Sequence, residues 1–199
     1  MLRYLKFENT FRAAGLLLLA GCWLVDVRVL EAQQRLGDLM TATQEDAMRI
    51  DKRSENEIVL ARNFRADRET VFAALTQADH LVNWMQPSNM ALVACEVDLR
   101  VGGSFRYVFR RPSGTELEVR GTYEAVDAPV RFTYTETYDF SPLEVLVRTV
   151  LESADEATFF KQTLSYPSKQ QRDEDFDGVA TSAREAYAKL DRYLAQIGQ

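Results

Sequence analysis

The sequence predicts an α+β fold in which a curved antiparallel sheet wraps around one long C-terminal helix. Between residues 91 and 166, runs of alternating apolar and polar residues are separated by short turns, which is typical of antiparallel neighbours. From residue 173 onwards, apolar residues instead recur at steps of three and four, which predicts a long amphipathic helix. A single antiparallel sheet needs one face covered, and this helix is the only predicted element long enough to cover it.

A first strand and two short helices are predicted before these runs. Residues 56–64 alternate in the manner of a strand. Asp67 can cap a helix, and apolar residues then continue at helical spacing as far as Met85. We therefore expect a pair of short helices with a bend near Gln77, ended by Pro87.

Six further strand-like runs follow, separated by turn residues. They span residues 90–100, 104–111, 116–126, 130–138, 143–152 and 157–166. Two adjacent glycines, Gly102 and Gly103, precede the run that carries the aromatic residues Phe105, Tyr107 and Phe109. Because glycine tolerates positive φ and close backbone approach, we interpret this pair as a sharp bend between two strands.

The terminal helix is predicted to begin near Asp173. The acidic residues from Asp173 to Asp177 favour the N-terminal end of a helix electrostatically. Gly198 suits its end.

Composition excludes several classes of function. The 199 residues fit one domain with an appendage, and the net charge of −6 leaves no positive surface for nucleic acid. Two cysteines, Cys22 and Cys95, form no disulfide framework, and a single histidine, His80, makes a histidine-rich metal site impossible. No cofactor and no metal site are indicated.

Residues 1–50 read as an N-terminal extension, and residues 51–199 as the domain. A basic start and an apolar run over residues 13–25, short for a membrane span, resemble an export signal. Residues 19–22 (LAGC) resemble a bacterial lipobox, which would anchor the protein to a membrane through Cys22. We nevertheless expect a cytoplasmic protein, in which the extension is a docking helix or the true start is Met48, and the lipid anchor through Cys22 is the alternative.

Four segments of the domain resemble a known family. They are IVLARNFRADRETVFAALTQADHLVNWM, CEVDLRVGGSFRYVF, GTELEVRGTYEAVDAPVRFTYTE and GVATSAREAYAKLDRYL. In this order they resemble the helix-grip fold of the START-like, or SRPBCC, superfamily, and most closely the bacterial domains similar to the activator of heat shock protein 90 ATPase. The resemblance covers about residues 57–194. It implies the fold and a cavity between sheet and terminal helix, whereas chaperone activation does not follow from the fold.

The side chains expected to line this cavity are mostly aromatic. They are Phe72, Trp84, Phe105, Tyr107, Phe109, Tyr123, Phe132, Tyr134, Glu136 and Tyr187. Rings of this size can also fill the space that they surround, so a packed core is the alternative to an open pocket.

Three polar or reactive residues have two readings each. Glu136 shares a face with Phe132 and Tyr134, so it is either a buried carboxylate or lies at a frayed strand end, in water or beside an arginine. His80 is either a surface or capping residue or a polar group at the cavity mouth. Cys95, on a strand, is either a buried inert thiol or a reactive one, and a reactive thiol would need a basic neighbour that the sequence does not show.

Three functions remain open from the sequence. The leading hypothesis is a binding module, without catalytic residues, for a small apolar or amphipathic ligand. The second is a polyketide-cyclase-like or hydrolase-like enzyme in which Tyr107, Tyr134, Glu136 or His80 performs acid–base work. The third is a chaperone cofactor or other partner-binding module, including a homodimer.

Overall fold

A computed structural model describes residues 47–198 of the chain. These residues belong to a compact unit that spans residues 46–199. Cys22, the lipobox-like segment and nearly all of the predicted extension lie outside the described residues. Within residues 47–198, no helix has the length and apolar character needed to cross a membrane.

Eight antiparallel strands form one sheet. They are β1 (Arg49–Arg53), β2 (Glu57–Phe64), β3 (Ala91–Val97), β4 (Ser104–Arg110), β5 (Glu116–Asp127), β6 (Arg131–Tyr138), β7 (Ser141–Ala154) and β8 (Ala157–Ser165). Their order across the sheet is β1-β2-β8-β7-β6-β5-β4-β3, so β2 leaves the hairpin order and pairs with β8. The seven predicted strands are all present.

The eighth strand, β1, was not predicted from the sequence. Its residues RIDKR carry no apolar alternation, and all but Ile50 are exposed. The strand forms because β2 offers a free edge, on which Arg49–Arg53 pair in register with Glu57–Ala61.

Three helices accompany the sheet. They are α1 (Arg68–Thr76), α2 (Ala78–Leu81) and α3 (Lys169–Ile197). The Asp67 side chain caps α1, since its carboxylate accepts a hydrogen bond from the Thr70 backbone N–H at 2.7 Å. Gln77 separates α1 from α2, at the predicted bend.

The terminal helix begins four residues earlier than the sequence suggested. Ser168 is its N-cap, and the hydroxyl accepts a hydrogen bond from the Gln171 N–H at 3.3 Å. Asp173 therefore lies within the helix, where its carboxylate binds Lys52 at 2.7 Å and Lys169 at 2.8 Å. Asp173 thus forms ion pairs with β1 and within the helix, and the start of the helix depends on a serine cap.

The sheet grips α3 through apolar and polar contacts. Tyr187, Leu190 and Leu194 are among the buried residues of α3. Two buried arginines add polar contacts between β2 and α3. Arg62 on β2 donates to the Tyr187 carbonyl and pairs with Asp191. Arg172 on α3 donates to the Glu57 carbonyl at 3.2 Å. The predicted α+β helix-grip fold is confirmed.

The double glycine forms the bend between β3 and β4. Gly102 has a φ of +76°, which favours glycine, and a Cβ on Gly103 would overlap with the Asp98 carbonyl oxygen. The turn is tied to β5, because Gly102 donates to the Tyr123 carbonyl at 2.8 Å and Tyr123 donates to the Gly103 carbonyl at 2.9 Å. The turn therefore needs Gly102 for its positive φ and Gly103 for the close approach of the Asp98 carbonyl oxygen.

Candidate ligand-binding cavity

A cavity of about 420 Å³ lies between the sheet, the helix pair and α3. Nine of the ten residues expected from the sequence line it: Trp84, Phe105, Tyr107, Phe109, Tyr123, Phe132, Tyr134, Glu136 and Tyr187. Cavities of this size hold small organic ligands, which typically need about 300 Å³ or more. The aromatic side chains therefore surround open space.

Phe72 is the exception among the expected lining residues. It is buried on α1, and its ring packs edge-on against Phe132 with a centroid distance of 5.7 Å. Phe132 does line the cavity. Phe72 thus belongs to the packed core next to the cavity, whereas Leu75 and Leu81 of the helix pair line it.

Five rings from β4, β5 and β6 form a continuous wall of the cavity. The wall consists of Phe105, Tyr107, Tyr123, Phe132 and Tyr134, with centroid distances of 4.9 to 6.1 Å between neighbours. Period-two alternation brings them together, because their positions on each strand point to the same face.

A glycine on β5 makes room for the centre of this wall. Phe105 stands directly opposite Gly121 in the β4–β5 pairing. A Cβ at Gly121 would overlap with the Phe105 ring and with the Thr135 carbonyl oxygen. The ring therefore lies over the bare backbone of Gly121, which fixes its position in the wall.

Glu136 lies inside the cavity, and this settles the alternative left open by the sequence. Its cross-strand neighbours are Gly121 and the buried Val145, so its side chain points to the inner face of the sheet. The carboxylate accepts a hydrogen bond from the Tyr138 hydroxyl at 2.7 Å. Burial raises the pKa of Glu136, and the bond from Tyr138 opposes that rise. The reading of Glu136 as a frayed end beside an arginine is wrong.

The tyrosine hydroxyls of the cavity are organised by a few hydrogen bonds. Tyr187 donates to Gln162 at 3.0 Å, and Gln162 donates to Thr149 at 3.1 Å. Tyr107 and Tyr123 share a hydrogen bond, and burial raises the pKa of Tyr123 to about 12. These phenols are therefore neutral at physiological pH.

Exposed lining residues mark the mouth of the cavity. They are Gln86, Ser182 and Glu185. Across the mouth, the Ser88 N–H and hydroxyl both donate to the Glu185 carboxylate, and Lys189 donates to Glu185 at 2.8 Å and to the Gln86 carbonyl at 2.6 Å. We call these four residues, Gln86, Ser88, Glu185 and Lys189, the mouth latch. The hydrogen bonds that Glu185 accepts, of which the one from Lys189 has the largest effect, lower the pKa of Glu185 to about 2.

Two of the residues considered from the sequence lie outside the cavity. The Nδ1 atom of His80 is 2.7 Å from the Tyr193 hydroxyl, so this histidine ties α2 to α3 and does not line the cavity. Tyr107, Tyr134 and Glu136 meet in the cavity without it. Cys95 is half-buried, and burial raises the pKa of its thiol, as suits an inert cysteine.

Besides the polar residues at the mouth, two polar residues of the interior lining, Tyr138 and Gln162, were not predicted from the sequence. Tyr138 continues the alternation of Phe132, Tyr134 and Glu136 along β6, so the same period would have placed it in the cavity. Gln162 on β8 stands opposite Leu60 and Thr149 and has no comparable signal.

Replacing Glu136 by glutamine is expected to stabilise the protein at neutral pH. Since the pKa of Glu136 is raised on folding, the folded state binds this proton more tightly than the unfolded chain, and stability falls as pH rises above about 4. Glu136→Gln keeps an acceptor for Tyr138 but carries no charge. We expect its free energy of unfolding at pH 7 to exceed that of the wild type by about 1 kcal/mol.

Chemical denaturation at pH 7 and pH 4 checks this expectation. The gain should shrink at pH 4, where Glu136 is protonated in the folded protein as well. Glu124→Gln, which removes the same charge from an exposed position on β5, is the matched control and should show neither effect. A Glu136→Gln variant less stable than the wild type at pH 7 would contradict the burial of a charged carboxylate.

A curved antiparallel sheet around a C-terminal helix, with a cavity between them, defines the helix-grip class of proteins. Residues 65–195 match the family model described as activator of Hsp90 ATPase homolog 1-like protein. The chain belongs to this family, which lies within the SRPBCC superfamily.

Solved structures of bacterial proteins share the fold. A crystal structure of a protein from Rhodobacter sphaeroides is 28% identical, with a TM-score of 0.73, and the match covers 76% of this chain and 99% of that one. A crystal structure of a protein from Mycobacterium smegmatis is 18% identical, with a TM-score of 0.68 and coverage of 76% and 99%. The solution structure of an AHSA1-like protein from Aeromonas hydrophila is 21% identical, with a TM-score of 0.58 and coverage of 71% and 94%. No curated protein matches the sequence.

Proposed function

We propose that the protein binds a small apolar or amphipathic molecule in the cavity between the sheet and α3. The observation that supports this most directly is a space of about 420 Å³ walled by aromatic rings. The family fold is consistent with a ligand-binding or cofactor module. Apolar lining with a few convergent polar groups is the usual composition of such a site.

The tyrosines of the interior are better suited to holding a ligand than to transforming one. The Glu136 carboxylate has one hydrogen-bond partner, Tyr138, whose pKa is itself raised by burial. Burial also raises the pKa of Tyr107 and Tyr134. Phenols with raised pKa values are poor general bases at neutral pH, so tyrosine hydroxyls here serve as fixed hydrogen-bonding groups. The chaperone-cofactor and homodimer hypotheses stay predictions.

A bulky residue inside the cavity should abolish binding. Ala186 on α3 lines the cavity and is half-buried, so Ala186→Trp places an indole in the space. We expect the full chain to bind the neutral fluorophore Prodan with a blue shift of its emission. In Ala186→Trp the affinity should fall by about tenfold or more.

The matched control introduces the same side chain elsewhere on α3. Gln196 is exposed and does not line the cavity, so Gln196→Trp should bind Prodan like the wild type. A wild-type protein that leaves Prodan emission unchanged contradicts the proposal. Equal binding by Ala186→Trp would place the dye elsewhere and also contradict it.

A further inference from the structure

The charged groups of the cavity are unevenly placed. Glu136, Glu185 and Lys189 are the charged residues in its lining, within the part of the chain that the structure describes. Glu185 and Lys189 neutralise each other in the mouth latch at 2.8 Å. Glu136 lies on the inner face of β6 with no cation beside it. The interior therefore presents one uncompensated negative group to a ligand.

Aromatic rings of the cavity wall lie near this group. The ring of Phe105 lies over Gly121, the residue directly opposite Glu136 on β5, and its centroid is 5.1 Å from that of Tyr134. Ring faces carry partial negative charge and attract cations within about 6 Å of the ring centroid. The rings and the Glu136 carboxylate can therefore both attract a cation.

Two polar atoms in this part of the cavity remain free to accept a hydrogen bond from a ligand. The Tyr138 hydroxyl donates a hydrogen bond to Oε1 of Glu136. The other carboxylate oxygen, Oε2, accepts no hydrogen bond from any residue between 47 and 198. The Tyr134 hydroxyl, on the same strand face, also forms no hydrogen bond within this range. A carboxylate oxygen that accepts no hydrogen bond from the protein is available to a ligand that donates one.

We propose that the ligand is an apolar amine, whose protonated nitrogen binds Glu136 among the rings while its hydrocarbon body fills the aromatic cavity. This inference rests on the proposed function and specifies its ligand class. A carboxylate-bearing lipid is disfavoured, because its head group would meet Glu136 inside and find Lys189 already paired at the mouth.

Three probes that differ only in their head group test the ligand class. They are 4-phenylbutylamine, 4-phenylbutanol and 4-phenylbutyrate, titrated calorimetrically into the full-length protein at pH 7. We expect the amine to bind at least about tenfold more tightly than the alcohol, as for a charge-assisted hydrogen bond, and the carboxylate to bind most weakly. In Glu136→Gln the amine should lose about tenfold and approach the alcohol, whereas the Glu124→Gln control should keep the wild-type order.

The outcomes separate this inference from the proposed function. If the alcohol and Prodan bind but the amine has no advantage in the wild type, the ligand class is wrong and the cavity function stands. An amine preference that survives in Glu136→Gln also overturns the assignment. If none of the probes and no Prodan bind, both proposals fail. The ranking of probes on the wild type needs no variant, so a misfolded Glu136→Gln would not prevent a decision.

Discussion

Gly121→Ala is expected to destabilise the protein by about 3 kcal/mol or more, with a drop in Tm of roughly 6–12 °C. The added methyl group would overlap with the Phe105 ring on one side and with the Thr135 carbonyl oxygen on the other. The ring is held by its neighbours in the aromatic wall, and the carbonyl belongs to β6, so neither can move without disturbing the sheet. Thermal denaturation followed by circular dichroism measures the effect.

The same substitution at Gly178 should have the opposite sign. Gly178 is exposed within α3, and no atom lies near the position of its added Cβ. Because alanine is the better helix former, Gly178→Ala should stabilise the protein by about 0.5–1 kcal/mol. A Gly121→Ala variant that melts with the wild type would show that Phe105 does not rest on Gly121.

Arg62→Ala is expected to cost about 3 kcal/mol of unfolding free energy. The guanidinium is buried on the inner face of β2, its Cζ lies 4.6 Å from the centroid of Phe64, and it joins the sheet to α3. Its removal leaves the Asp191 carboxylate without this partner and empties space beneath the helix. Urea denaturation of the variant should give a lower midpoint than the wild type.

An exposed arginine one residue from Asp191 provides the control. Arg192→Ala should change stability by no more than about 0.5 kcal/mol, since substitutions of exposed residues away from special features have small effects. Equal stability of Arg62→Ala and Arg192→Ala would mean that the polar tie contributes nothing to the grip on α3.

The inner face of the sheet was predictable because side chains alternate along a strand. That rule places Phe105, Tyr107 and Phe109 together, and it places Glu136 with Phe132 on β6. The rule contains no distances between rings, so it could not distinguish an open cavity from a packed core. That distinction depends on how the rings lean against one another and on Gly121 beneath them.

Other features could not be predicted from the sequence, each for a different physical reason. The strand β1 forms through backbone pairing with the edge of β2, which polar side chains do not reveal. The start of α3 is set by Ser168, whereas Asp173, where the acidic run begins, lies within the helix and binds two lysines. The partner of Glu136 is Tyr138, two positions along the same face, and the alternation along β6 contains this pairing.

Under the proposed function, the mouth latch influences how fast a ligand exchanges but has little influence on how tightly the ligand is held. Its groups, led by Glu185 and Lys189, lie at the solvent-exposed rim, whereas the rings and Glu136, which would contact the ligand that we propose, lie inside. Opening the rim breaks surface hydrogen bonds and a screened ion pair, and it leaves the aromatic wall intact. Residence time should therefore respond to ionic strength and to changes in the loop at Ser88, while equilibrium affinity follows the interior.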